Sequence, residues 1–226
     1  RINSLFLPNI DKDTIPKVWQ MTQDYPGQCY AMMGLHPCSV DEDYKTHLKA
    51  VEAELAKEQV YAVGETGLDF YWDNSCTDAQ KASFEQHIEW GKQLKLPVII
   101  HCRESYDAIY ELLKKHNDSS LFGILHCFTG TLEEAEKMKD LGFYLGLGGI
   151  LTFKNAGVDQ VAKDIPLDSI VLETDSPYLA PVPYRGKRNE SSYTVHVAKK
   201  LAEIKDIKLE EVSEQTTQNA KTIFKF

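Results

Sequence analysis

The sequence predicts an α/β fold of the (β/α)8 TIM-barrel type, a single domain over residues 1–226 with its first strand missing from the chain. Seven short apolar runs alternate with helical patterns, the signature of repeated βα units and a parallel sheet. The runs begin near residues 4, 29, 60, 97, 122, 143 and 170, so successive starts lie 21 to 37 residues apart, the size of one strand plus one crossover helix. The rival architecture, an open doubly wound sheet, calls for a glycine-rich fingerprint after an early strand, and none is present.

Each element has its own signal. Ser4–Pro8 is the first extended run, followed by a helical pattern from Thr14 to Tyr25. Cys29–Leu35 ends in His36-Pro37-Cys38, and the pattern after it, Asp43 to Lys57, places Leu48, Val51 and Leu55 at helical spacing. Val60–Val63 runs into Gly64-Glu65-Thr66-Gly67-Leu68-Asp69, and the long helix beyond it opens on Thr77 with Gln80 three residues on, a capping-box arrangement. Pro97–Ile100 ends in His101-Cys102-Arg103, with a helix from about Ser105 to Lys115. Phe122–Leu125 ends in His126-Cys127-Phe128, and Thr131 with Glu134 caps the next helix. Phe143–Leu147 precedes Gly148-Gly149, and Ile170–Thr174 ends in Asp175. Two helical patterns close the chain, roughly residues 192–205 and 209–224.

An eight-stranded pattern needs one more strand, and an extended segment upstream of Arg1 would supply it. Five cysteines, an odd number with no CxxC pair, do not form a disulfide framework, and no basic-then-apolar leader opens the chain, so a cytoplasmic setting is expected. No stretch approaches the roughly 18 apolar residues of a membrane span, so no membrane partner is expected. A formal charge of −9 argues against a general nucleic-acid binder and calls for local cations wherever a polyanion is handled. Acidic surface and the lack of an apolar patch point to a monomer.

In such barrels the C-terminal strand ends carry the chemistry, and here they carry His36, Glu65, His101, His126 and Asp175. Imidazole and carboxylate together are ligands for a divalent transition metal, and Glu65 suits a ligand shared between two ions. Cys102 and Cys127 each follow a proposed ligand by one residue and so point to the opposite face. Glu173 shares the face of Asp175 one layer deeper, as a partner for a ligand histidine or a buried structural acid. His47, His87, His116 and His196 sit within helical patterns and read as solvated or internally satisfied residues. The segment Tyr178–Asn189 carries Arg185, Lys187 and Arg188 between tyrosines, a combination suited to phosphate.

The motifs GLHP (34–37), GETGLD (64–69), IHCR (100–103), HCFTG (126–130) and ETDSPYLAP with its continuation PYRGKRN span nearly the whole chain. In that order they resemble the TatD family of metal-dependent deoxyribonucleases, within the amidohydrolase-like barrels. The resemblance implies that Glu65, His101, His126 and Asp175 hold divalent metal ions, two in number, drawn from Mg, Mn or Zn, and that the substrate is DNA. It also implies an opening strand ending in His-x-His, and no such pair occurs in this sequence. The expected chemistry is phosphodiester hydrolysis by activated water, with Asp175 and Glu65 catalytic and Asp175 as proton acceptor. Arg103, Arg185, Lys187 and Arg188 are expected to contact phosphate, and His36 the substrate or leaving group. The alternatives are a hydrolase of a small amide, lactone or phosphoester using the same ligands, and a non-catalytic metal-stabilised barrel.

Overall fold

A computed structural model describes residues 2–72 and 75–226. Tertiary contacts group the chain into two compact units, Ile2–Ile124 and Leu125–Phe226. The first contains β1 (Leu5–Pro8), α1 (Ile15–Asp24), β2 (Cys29–Met33), α2 (Tyr44–Leu55), β3 (Val60–Asp69), α3 (Thr77–Leu94), β4 (Val98–Arg103) and α4 (Tyr106–His116). The boundary falls within β5 (Gly123–Leu125). The second contains α5 (Leu132–Asp140), β6 (Phe143–Leu147), α6 (Val158–Asp164), β7 (Ile170–Leu172), α7 (Thr194–Lys205) and α8 (Leu209–Phe224). This is the α/β alternation of a TIM-type barrel, with seven strands among the described residues, as the sequence predicts.

In the first unit β1, β2, β3 and β4 pair in parallel, so their C-terminal ends share one edge. The apolar stripes of α1 and α2 close over that sheet. Ile15, Val18, Val51 and Leu55, with Trp90 of α3, pack on Ala31, Met33, Val60 and Val63. Each fully buried aliphatic side chain in this cluster contributes about 1.5–3 kcal/mol. In the second unit β6 and β7 pair in parallel, and α8 covers β7. Val212, Thr216, Asn219 and Ile223 form the buried stripe of α8, and the Asn219 amide donates to the carbonyls of Leu167 (2.9 Å) and Ile170 (2.7 Å).

Several elements differ from the sequence expectation. β3 continues through Gly64 and Gly67 to Asp69, so Glu65 lies within the strand, where the ladder to β4 shifts between Val63 and Thr66. Glycines there suggest a strand end; instead they let backbones approach, and a Cβ on neighbouring Gly34 would lie 2.6 Å from the Gly64 backbone. β7 stops at Leu172, so Glu173 and Asp175 stand in the loop beyond it. The short helix α6 has too few residues for a clear apolar period. Thr131 and Glu134 form the expected capping box, whereas Cys76 occupies the N-cap of α3 and Gln80 turns to Asp69 instead. No helix among the described residues is long and apolar enough to cross a membrane.

Candidate metal centre

Among the described residues two groups of potential ligands occur, one in each unit: His36, Glu65 and His101, and His126, Glu173 and Asp175. In the first group the backbone places each residue. Asn9, fully buried, clamps Gly34 by accepting from its N–H and donating to its carbonyl, both at 2.8 Å. His87, buried in α3, donates from Nδ1 to the Ser83 carbonyl (2.7 Å) and accepts the Leu35 N–H at Nε2 (2.9 Å). These two contacts fix the segment that presents His36. Burial depresses the His87 pKa to about 4, so its ring is neutral at pH 7.

His36 Nε2 lies 3.4 Å from Glu65 Oε1, and His101 Nδ1 lies 3.2 Å from the same oxygen. The other nitrogen of His101 donates to Asp69 Oδ2 at 2.9 Å. Asp69 is only 2% exposed, yet its carboxylate is well provided with donors. Its Oδ1 accepts from the N–H groups of Tyr71 (3.0 Å) and Trp72 (3.3 Å), and the Cys38 thiol reaches Oδ2 at 3.5 Å. Burial alone would raise its pKa, but the His101 and backbone hydrogen bonds outweigh it and the pKa falls. At His36 burial opposes charge, while the contacts with Cys38 and Glu65 win and the pKa rises.

In the second group His126 Nε2 pairs with Asp175 Oδ1 at 2.8 Å, and Nδ1 is in ion-pair contact with Glu173 Oε2. Among the described residues neither buried oxygen of Glu173 has a hydrogen-bond partner. Space for this carboxylate comes from glycine: a Cβ on Gly148 would meet Glu173 Oε1 at 2.2 Å.

The residues fit a cation. His101 and His126 are each set between two carboxylates, and a neutral imidazole donates only one proton. With the His101 proton on Nε2, toward Asp69, the Nδ1 lone pair faces Glu65. A divalent ion would remove that repulsion and compensate the buried carboxylate of Glu173, and the nitrogen and oxygen donors are those of Zn, Mn or Mg sites.

Comparison with known proteins agrees with this chemistry. The model of TatD-related DNases matches residues 1–225. The chain belongs to that family. A protein of Bacillus subtilis (strain 168), described as the uncharacterized metal-dependent hydrolase YabD, is 39% identical over 226 residues, which is 100% of this chain and 88% of the relative. The 3'-5' ssDNA/RNA exonuclease TatD of Klebsiella pneumoniae (strain 342) is 29% identical, covering 99% of this chain and 87% of the relative. Among solved structures, the TatD homologue YjjV of Escherichia coli K12 superposes with a TM-score of 0.93 at 28% identity, covering 99% of this chain and 87% of that one. Membership of the TatD family makes the chain a metal-dependent hydrolase.

Of the residues the sequence singles out, Glu65 and His101 meet in the first unit with His36, which stands within reach of Glu65 as His101 does. His126 and Asp175 meet in the second, with Glu173. Arg103 lies exposed at the end of β4, opposite Asp69 in register. Arg185, Lys187 and Arg188 are exposed on the loop beyond β7. Asn189, 3% exposed, ties that loop down by donating to the Tyr178 carbonyl at 2.7 Å, and the Arg185 guanidinium lies 4.4 Å from the Phe153 ring centre. Cys102 and Cys127 belong to neither ligand group.

The sequence reading assigns Asp69 no role, although positions 65, 67 and 69 share a strand face and that alternation was the available signal. No local signal marks the contacts of Gln80 with Asp69, Asn9 with Gly34 or His87 with Leu35, which span 11 to 52 residues.

Proposed function

We propose that this hydrolase is a deoxyribonuclease that cleaves phosphodiester bonds with an activated water, one divalent ion being held by His36, Glu65 and His101 and another by His126, Glu173 and Asp175. The observation that carries the reading is the pair of histidines, each set between two carboxylates. Such ions supply Lewis acidity and charge neutralisation at phosphate.

The chain's own groups do the rest. Asp69 holds the His101 proton on Nε2 and so presents Nδ1 toward Glu65. Asp175, partly exposed, accepts at its carboxylate the proton of the attacking water, with His126 fixing Oδ1. Arg103, Arg185, Lys187 and Arg188 offer cationic contacts to the phosphates of a strand in an otherwise acidic protein. The activity named for the Klebsiella relative supports a nucleic-acid substrate.

The test is hydrolysis of single-stranded and duplex DNA with Mg, Mn or Zn, with Asp175→Asn and an Arg185→Gln/Lys187→Gln/Arg188→Gln variant alongside. Metal-dependent cleavage is expected, with Asp175→Asn lowering kcat about 1000-fold. The triple variant should reduce the slope of log KM against log salt by about 2 on a single strand. Full DNA turnover by the triple variant, or hydrolysis only of small esters, would favour a small-molecule hydrolase built on the same ligands.

A further inference from the structure

Immediately beyond Asp69 the chain exposes two aromatic rings in succession. Trp72 is 69% exposed and Tyr71 49% exposed. The two rings meet edge to face with centroids 4.8 Å apart. The Arg103 guanidinium lies 3.8 Å from the Tyr71 ring centre and 5.2 Å from that of Trp72. The cation covers a face of Tyr71 and steadies the pair, while most of the Trp72 surface stays open to solvent.

The position of the cluster gives it meaning. The N–H groups of Tyr71 and Trp72 donate to Oδ1 of Asp69, whose Oδ2 accepts from His101. One buried carboxylate therefore fixes both the rings and a candidate metal ligand. Arg103 stands two residues beyond His101 on the same strand face.

From this arrangement we infer that Tyr71, Trp72 and Arg103 form a subsite that stacks one nucleobase of a single strand on Trp72 and holds the adjoining phosphate at Arg103. The inference rests on the nuclease reading and sharpens it, because duplex DNA keeps its bases within the stack and offers no free face. Selectivity follows from the π-face and not from base edges, so the preference is for single strands over duplexes and is indifferent to base identity.

The test compares an oligothymidylate with an abasic oligomer of the same length and backbone. Binding is read by fluorescence anisotropy in the Asp175→Asn protein with metal present, and turnover in the wild type. The base-bearing strand is expected to bind about 10-fold more tightly than the abasic one. Trp72→Ala should abolish that difference and Trp72→Phe restore most of it, while Arg103→Gln weakens the abasic strand as well, through loss of the phosphate contact. Equal binding of the two oligomers, no binding of either, or an equal loss on both with Trp72→Ala would overturn the subsite. Base-dependent binding without hydrolysis would sink the nuclease reading and leave the subsite standing; hydrolysis without base dependence would do the reverse.

Discussion

The two ligand groups use the same parts in different states of completion. In the first, Asp69 is more deeply buried than any acid of the second, yet two backbone N–H groups, a thiol and His101 surround it. In the second, Glu173 is in contact with His126, and among the described residues neither of its oxygens has a hydrogen-bond partner. A buried carboxylate supplied with donors orients its histidine whether or not an ion is bound. One without donors depends on the ion for its compensation. The first group is thus completed by the fold, while Glu173 in the second calls for a cation.

The largest test of that contrast is pH. His87, which supports the His36 segment, has its pKa depressed to about 4, against about 6.5 in the unfolded chain. Above pH 6.5 neither state is protonated there and the full stability is present. As pH falls from 6.5 toward 4 the unfolded chain takes up the proton first, and stability drops by up to about 3 kcal/mol. Urea titrations at pH 7, 5.5 and 4.5 should show this loss, with protection of the Leu35 amide against hydrogen exchange declining in step. A pH-independent Leu35 amide would mean that His87 does not hold the first group.

Next in size is Gly148→Ala, which forces a methyl group to within 2.2 Å of Glu173 Oε1. It should weaken metal binding at the second group about 100-fold, on the order of 2.7 kcal/mol, and leave the first group's affinity alone. In a calorimetric metal titration one binding phase should move and the other stay; if both move together, the groups are not independently built.

The smallest effects are opposite in sign. In metal-free protein Glu173→Gln should raise stability by about 1 kcal/mol, because it removes a buried charge without donors. Asp69→Asn should lower it by about 1–3 kcal/mol, because it breaks an established network. Thermal unfolding after chelation measures both. A destabilised Glu173→Gln would show that the second group is as complete without metal as the first.

The sequence carried the alternation of strands and helices, because seven apolar runs at near-regular spacing admit few other architectures. Strand-end positions also singled out His36, Glu65, His101, His126 and Asp175, since a side-chain period of two needs no tertiary information. The grouping of these residues was not legible, nor was the weight of Asp69 and Glu173. A strand over residues 170–174 puts Glu173 on the face of Asp175. β7 ends at Leu172, and it is the loop that brings both acids to His126. Gln80 shows the same limit: a local capping pattern was available to it, and the buried peptide of Asp69 took it instead.

What the sequence determined by itself was the residue chemistry and the order of elements, both of which are local or periodic properties. Tertiary structure alone decided which nitrogen of each histidine faces which carboxylate, which acids are provided with donors, and where Trp72 is left open beside Arg103. Those outcomes depend on contacts between residues far apart in the chain, such as Asn9 with Gly34 and Leu35 with His87, whose formation rests on burial of the whole unit.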